Sequence, residues 1–159
     1  MLTFTMLISN VSAYVNTNDE KASEKVNLAL NKAAFASSEE TNTFTAKKVT
    51  DGIVDREGSK SSRWACERYE NGPWVAIDLG QKQSFDEVNI TWERRNVNSY
   101  KIEISDDSEN WTSIYVGGGA TDFVEAVNVG NQEARYIRVV IDDYSATAEN
   151  VTWETVSIY

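Results

Sequence analysis

Tyr100-Lys101-Ile102-Glu103-Ile104 decides the fold class: the apolar residues Tyr100, Ile102 and Ile104 alternate with the charged Lys101 and Glu103. A period of two marks a strand with one dry face and one wet face. Outward from this stretch, residues 74–79 (WVAIDL) and 85–92 (FDEVNITW) precede it, and 111–116 (WTSIYV), 122–129 (DFVEAVNV) and 135–141 (RYIRVVI) follow, all reading as strands. Turn signals part them at Asn71-Gly72-Pro73, Gly80, Ser105–Glu109 and Gly117-Gly118-Gly119. No long block carries a helical period. Each sheet has an apolar face to bury, so the expected fold is all-β, two packed antiparallel sheets forming a β-sandwich. Residues 31–73 and 142–154 show little strand pattern, and long loops on a rigid support are where function is expected.

The composition suits one folded domain: 159 residues, 41% hydrophobic and 25% charged, with one proline and eight glycines. A net charge of −10 without a Lys/Arg stripe excludes nucleic acid and disfavours anionic membranes and polysaccharides. Neutral sugars are tolerated, and cationic ones favoured. Histidine is absent, which removes the usual base of nucleophilic catalysis and the commonest neutral zinc ligand. The lone Cys66 has no internal disulfide partner and reads as a small space-filler. Residues 1–13, MLTFTMLISNVSA, are apolar and uncharged and end in the small-residue spacing Val11-Ser12-Ala13 of a cleavage site. Export with Tyr14 near the mature start is expected, a buried first strand being the alternative; the run is too short to span a membrane. Residues 14–26 read as a polar linker and 27–159 as the domain.

The domain resembles the coagulation-factor type C, or discoidin, superfamily of galactose-binding-like domains, and within it carbohydrate-binding module family 32. The resemblance rests on the order and spacing of Asn27-Leu28-Ala29, Ala36-Ser37-Ser38, Asp51-Gly52, Arg63-Trp64, Trp74 to Gly80, Trp92-Glu93, Ser99 to Ser105, Asn110-Trp111, Ala134 to Arg138 and Val156 to Tyr159. It implies a jelly-roll-like sandwich without a catalytic centre, attached to a larger secreted glycoside hydrolase. It also implies that the last strand continues past Tyr159, so the closing strand is expected to be cut short here.

Two sites follow from the resemblance. The first is a structural Ca2+ ion at the loop opened by Asp51-Gly52, where Asp51, the hydroxyl of Ser62 and the backbone carbonyl of Lys48 match ligand positions and Asp55 is a further candidate. Calcium takes six to eight oxygens, and such an ion braces loops rather than activating water. Without the resemblance, Asp51-Gly52 reads as an ordinary turn.

The second is a sugar site on loops 39–44, 65–72, 93–98 and 142–153 at one end of the sandwich. A sugar ring meets an exposed aromatic plate and a rim of short or charged hydrogen-bonding groups. The candidates are Glu39, Glu67, Tyr69, Arg95, Asn96, Tyr144 and Trp153, with Glu67 and Arg95 the preferred polar contacts. Trp153 reads equally as plate or packing. Trp74, Trp92 and Trp111 fall in strand patterns and read as core; Trp64 reads as structural, with Arg63 tying loop to sheet. Galactose-binding members often use a loop histidine, absent here, whereas Glu39, Glu40 and Glu67 resemble members that take amino sugars or chitosan oligomers. A glycosidase carboxylate pair is a chance expectation at this composition and lacks a deep cleft. The rival reading is a discoidin-like adhesion module that binds a protein partner. One shallow site implies weak monovalent binding, of order ~10⁻⁴ to 10⁻³ M.

Overall fold

The computed structural model describes residues 25–54 and 62–145, and the backbone of 147–148, 151–152 and 157–158. Among the described residues nine strands run in chain order: β1 Ala33–Ala36, β2 Trp64–Ala65, β3 Trp74–Thr91, β4 Val97–Ser105, β5 Thr112–Gly118, β6 Val124–Tyr144, β7 Thr147–Ala148, β8 Val151–Thr152 and β9 Ser157–Ile158. A 3₁₀ turn, Ala46–Thr50, sits between β1 and β2. The main sheet is antiparallel in the order β1-β3-β6-β4-β5. Two short pairs, β2 with β9 and β7 with β8, complete the described strands.

The expected strands 74–79 and 85–92 are one strand, β3, and 122–129 and 135–141 are likewise joined in β6. Gly80 does not end the strand but sits in a bulge. Gly80 and Gly130 take φ of +88° and +66°, a region that disfavours any residue with a Cβ, and register shifts fall beside both. The carboxylate of Asp78 accepts from the Gly80 N–H at 2.7 Å, and Asn128 Oδ1 accepts from the Gly130 N–H at 2.9 Å. Sequence shows a glycine in each place but not that the partner strand bulges with it.

Both halves of the β3–β6 ribbon bury side chains in one core. Val75, Ile77 and Leu79 enter it before the bulge, and Phe85, Val88, Ile90 and Trp92 after it. Ile102, Ile137, Val139, Ile141 and Trp64 join the same cluster. A ribbon feeding one core from both halves must bend across it, and the architecture is the expected all-β sandwich.

Two tryptophans correct the sequence reading. Trp92 is core, fully buried, but Trp74 and Trp111 lie half-buried on the opposite face of the main sheet. The parity of Trp74 is opposite to that of Val75, Ile77 and Leu79, so burying those three turns it outward. There the Arg138 guanidinium lies 4.1 Å from the Trp111 ring and 5.6 Å from the Trp74 ring, while pairing with Glu103 at 2.6 Å. Phe35 meets Trp74 edge-on at 5.8 Å.

Candidate functional site

Strand register gathers the loops. Ala36 pairs Val75, Trp74 pairs Val140, and Val97 pairs Tyr144, so β1 ends, β3 and β4 begin, and β6 ends at the same edge of the sandwich. Residues 37–45, 66–73, 92–96 and 145 project from that end. Their polar groups are cross-tied. Ser38 Oγ donates to Glu70, accepts from the Glu67 N–H at 2.8 Å, and the Ser38 carbonyl accepts from Trp64 Nε1 at 2.8 Å. The Glu40 N–H donates to the Ala65 carbonyl at 2.8 Å.

At the base of this rim Arg63 and Glu93 form a buried ion pair, Nε to Oε2 3.1 Å, with side chains only 13% and 6% exposed. The Arg63 guanidinium also lies 3.8 Å from the Phe44 ring centre. A buried pair of this kind fixes geometry more surely than it adds stability. It ties the 63–73 segment to the 92–96 loop.

Above it the expected contacts divide. Tyr69 is 70% exposed and holds φ of +59°, a left-handed backbone that presents its ring from the loop tip. Glu67 is exposed beside it. Glu39 is exposed but already accepts from the Ala46 N–H at 2.7 Å, satisfying a donor at the start of the 3₁₀ turn. Tyr144 is half-buried and donates its hydroxyl to the Glu70 carbonyl at 3.0 Å. Burial, with Cys66 and Glu70 nearby, pushes that hydroxyl up to about 12, so it remains a neutral donor. Asn96 is only 2% exposed and is a brace: its Nδ2 donates to the Ser145 carbonyl at 3.3 Å, and its own carbonyl accepts from the Ser145 N–H at 2.7 Å. Arg95 is exposed on the other side of its loop, 5.0 Å from the Phe123 ring centre. Trp153 lies outside the described residues. The structure thus gathers Glu67, Tyr69 and Tyr144 with Glu39 nearby, and sets Arg95 apart.

The roles of Ser38, Glu70 and loop 119–123 in holding the rim carry no local signal in the sequence. Their bonds span long stretches of chain, and the run Gly117-Gly118-Gly119 signals only a turn.

At the metal candidates, Ser62 Oγ lies 2.5 Å from Asp51 Oδ2, while Asp51 Oδ1 accepts from the Ile53 N–H at 2.9 Å. Gly52, at φ +80°, turns the chain there. The Lys48 ammonium stands 3.9 Å from Asp51 Oδ2. Asp55 lies outside the described residues, among which no cluster of three or more acidic, Cys or His side chains is placed to hold a metal. A carboxylate and a hydroxyl, both oxygen donors of the kind a hard cation takes, thus meet at this turn beside the Lys48 ammonium.

A shallow depression at the far end, lined by Asp106, Asp107, Asn110 and Glu133, has two of its three carboxylates engaged. Asp106 pairs Lys82 at 2.6 Å, and Asp107 accepts from Ser105, Glu109 and Asn110. The rim is therefore the better site.

A bent β-sandwich with a rim of exposed polar groups and an aromatic tip is the form of a carbohydrate-binding module, a binding domain rather than an enzyme. Residues 33–156 match the F5/8 type C domain, and the chain belongs to that family. No match was found among curated proteins. Among solved structures the chain is similar to chitosan-binding module 1 of a chitosanase/glucanase from Paenibacillus sp. IK-5, at 31% identity and TM-score 0.66, covering 82% of this chain and 92% of that one. Module 2 of the same enzyme, solved with chitotriose, gives 29% identity and TM-score 0.69 over 83% and 95%. A Streptococcus pneumoniae fucose-binding module, at 19% identity and TM-score 0.67 over 87% and 94%, shares the fold. Among the described residues no helix is long and apolar enough to cross a membrane.

Proposed function

We propose that the rim binds an amino-sugar oligosaccharide of the chitosan kind, and that the module acts outside the cell as part of a larger glycoside hydrolase, holding the enzyme on its substrate. The observation that carries this is the charge of the first two loops around the exposed Tyr69 ring. Residues 37–44 and 65–73 contain four carboxylates, Glu39, Glu40, Glu67 and Glu70, and one guanidinium, Arg68. A protonated amine is drawn to that surplus, and a sugar face stacks on the ring. The likeness to chitosan-binding modules supports the same choice. Glu67 and Tyr69 are the contacts, Tyr144 and Asn96 hold the loops, and the apolar, uncharged segment 1–13 supports export.

Isothermal titration with oligomers of glucosamine, N-acetylglucosamine and galactose tests the reading. Glucosamine oligomers should bind tightest, in the range of about 10⁻⁴ to 10⁻³ M, and should weaken when the amine is acetylated. Equal affinity for the acetylated series would remove the charge argument, and no binding by any sugar would leave the protein-binding reading in the lead.

A calcium ion is proposed at Asp51, Ser62 and the Lys48 carbonyl, with Asp55 a further candidate. It would neutralise Asp51 and brace the loop, and the half-exposed Lys48 ammonium would swing aside for it. Added calcium should raise the melting temperature of the wild type but not of Asp51→Asn, because only the native site would bind the ion. An equal rise in both, or none in either, would contradict this.

A further inference from the structure

Loop 119–123 stands beside the rim, and its attachment is denser than a connecting turn needs. The Ala120 N–H donates to the Val97 carbonyl at 2.9 Å, and the Trp92 N–H donates to the Phe123 carbonyl at 2.8 Å. A Cβ on Gly119 would stand 2.3 Å from the Val97 carbonyl oxygen, so only glycine allows this approach. From beneath, one carboxylate fastens both neighbours. Glu125 Oε2 accepts from Trp92 Nε1 at 2.9 Å and from the Tyr100 hydroxyl at 3.0 Å, while Oε1 accepts from the Thr121 N–H at 2.9 Å and Oγ1 at 3.1 Å.

The result is a second plate. Phe123 is held with the Arg95 guanidinium 5.0 Å from its ring centre, and Asp122 is exposed next to it. A guanidinium over an aromatic ring offers a flat apolar body edged with hydrogen-bond donors, which suits a sugar ring and its hydroxyls. Glu93 pairs with Arg63 at the base of the rim, whereas Arg95, two residues on in the same loop, turns to Phe123, so the 92–96 loop links the rim to this plate.

We infer that Arg95, Phe123 and Asp122 form a second sugar position, taking the next unit of an oligosaccharide whose first unit lies at Tyr69 and Glu67. The inference rests on the proposed rim function and adds that the site reads chain length. Asp122 gives the second position its own carboxylate for a glucosamine amine, so a trimer should be held better than a monomer.

The test is isothermal titration of glucosamine and its β-1,4-linked trimer into wild type, Phe123→Ala and Phe123→Leu, each first shown to be folded by its amide NMR spectrum. The leucine variant keeps apolar packing and removes only the aromatic face. Both variants should lose roughly 3- to 10-fold in trimer affinity with monomer affinity unchanged. Trimer affinity equal to wild type in both variants, or an equal loss for monomer and trimer, would overturn the second position and leave the Tyr69 site standing. Wild type that binds neither sugar would instead remove the rim reading, and the inference with it.

Discussion

The two ends of the sandwich solve the same problem in different ways. At the far end the backbone turns are closed by near neighbours: Asp107 accepts from Ser105, Glu109 and Asn110, and Gly80 and Gly130 bond to residues two positions back, with the exposed Lys82–Asp106 pair as a tie between segments. At the rim end the bonds join distant segments, Ser38 to Glu70, Arg63 to Glu93, Tyr144 to Glu70 and Asn96 to Ser145. A self-contained turn leaves nothing shaped for a ligand. Loops that hold one another in place can keep a few groups exposed and yet fixed, as Tyr69 and Glu67 are, and so avoid the ordering cost of binding.

The contrast is broken hardest at the buried ion pair. Glu93→Ala leaves the Arg63 charge without its partner in a site that is nearly closed, and should cost about 3–5 kcal/mol in urea unfolding. Removing both side chains should cost less than the sum of the single changes, because no charge is then stranded. If Glu93→Ala were neutral, the rim would not be the cooperative unit described.

The far end should respond least. Asn110, through its side chain and backbone, with Glu109 and Ser105, holds the Asp107 carboxyl well below the usual carboxylate range. Its folded pKa is depressed, so the stability it adds is complete above the unfolded value near pH 4 and is lost as the pH falls below that. Asp107→Asn should therefore lower the melting temperature slightly at neutral pH. It should converge with wild type in acid and leave sugar affinity unchanged. A loss of sugar binding in this variant would erase the distinction between the ends.

The same division explains what could be read from sequence. The far-end turn was legible because its donors and acceptor lie within five residues of one another, Ser105 to Asn110. The alternation of residues 100–104 marks β4, and Tyr69 falls in a loop that the resemblance assigns to the sugar site. β1 was missed because AAFA has no alternation, and its pairing with β3 is set by tertiary packing. For Trp74 and Trp111 apolar character alone points to the core, whereas the parity of Trp74 against Val75, Ile77 and Leu79 puts it on the outer face, where Arg138 covers both. Glu70, Ser38 and loop 119–123 depend on partners dozens of residues away, which no local pattern announces.

The most direct measurement is a two-dimensional amide NMR titration with the glucosamine trimer. The account predicts shifts confined to residues 38–40, 67–70, 93–96 and 119–123, with 80–83 and 105–110 unmoved. Shifts centred on 105–110, or no shifts in a folded sample, would contradict it.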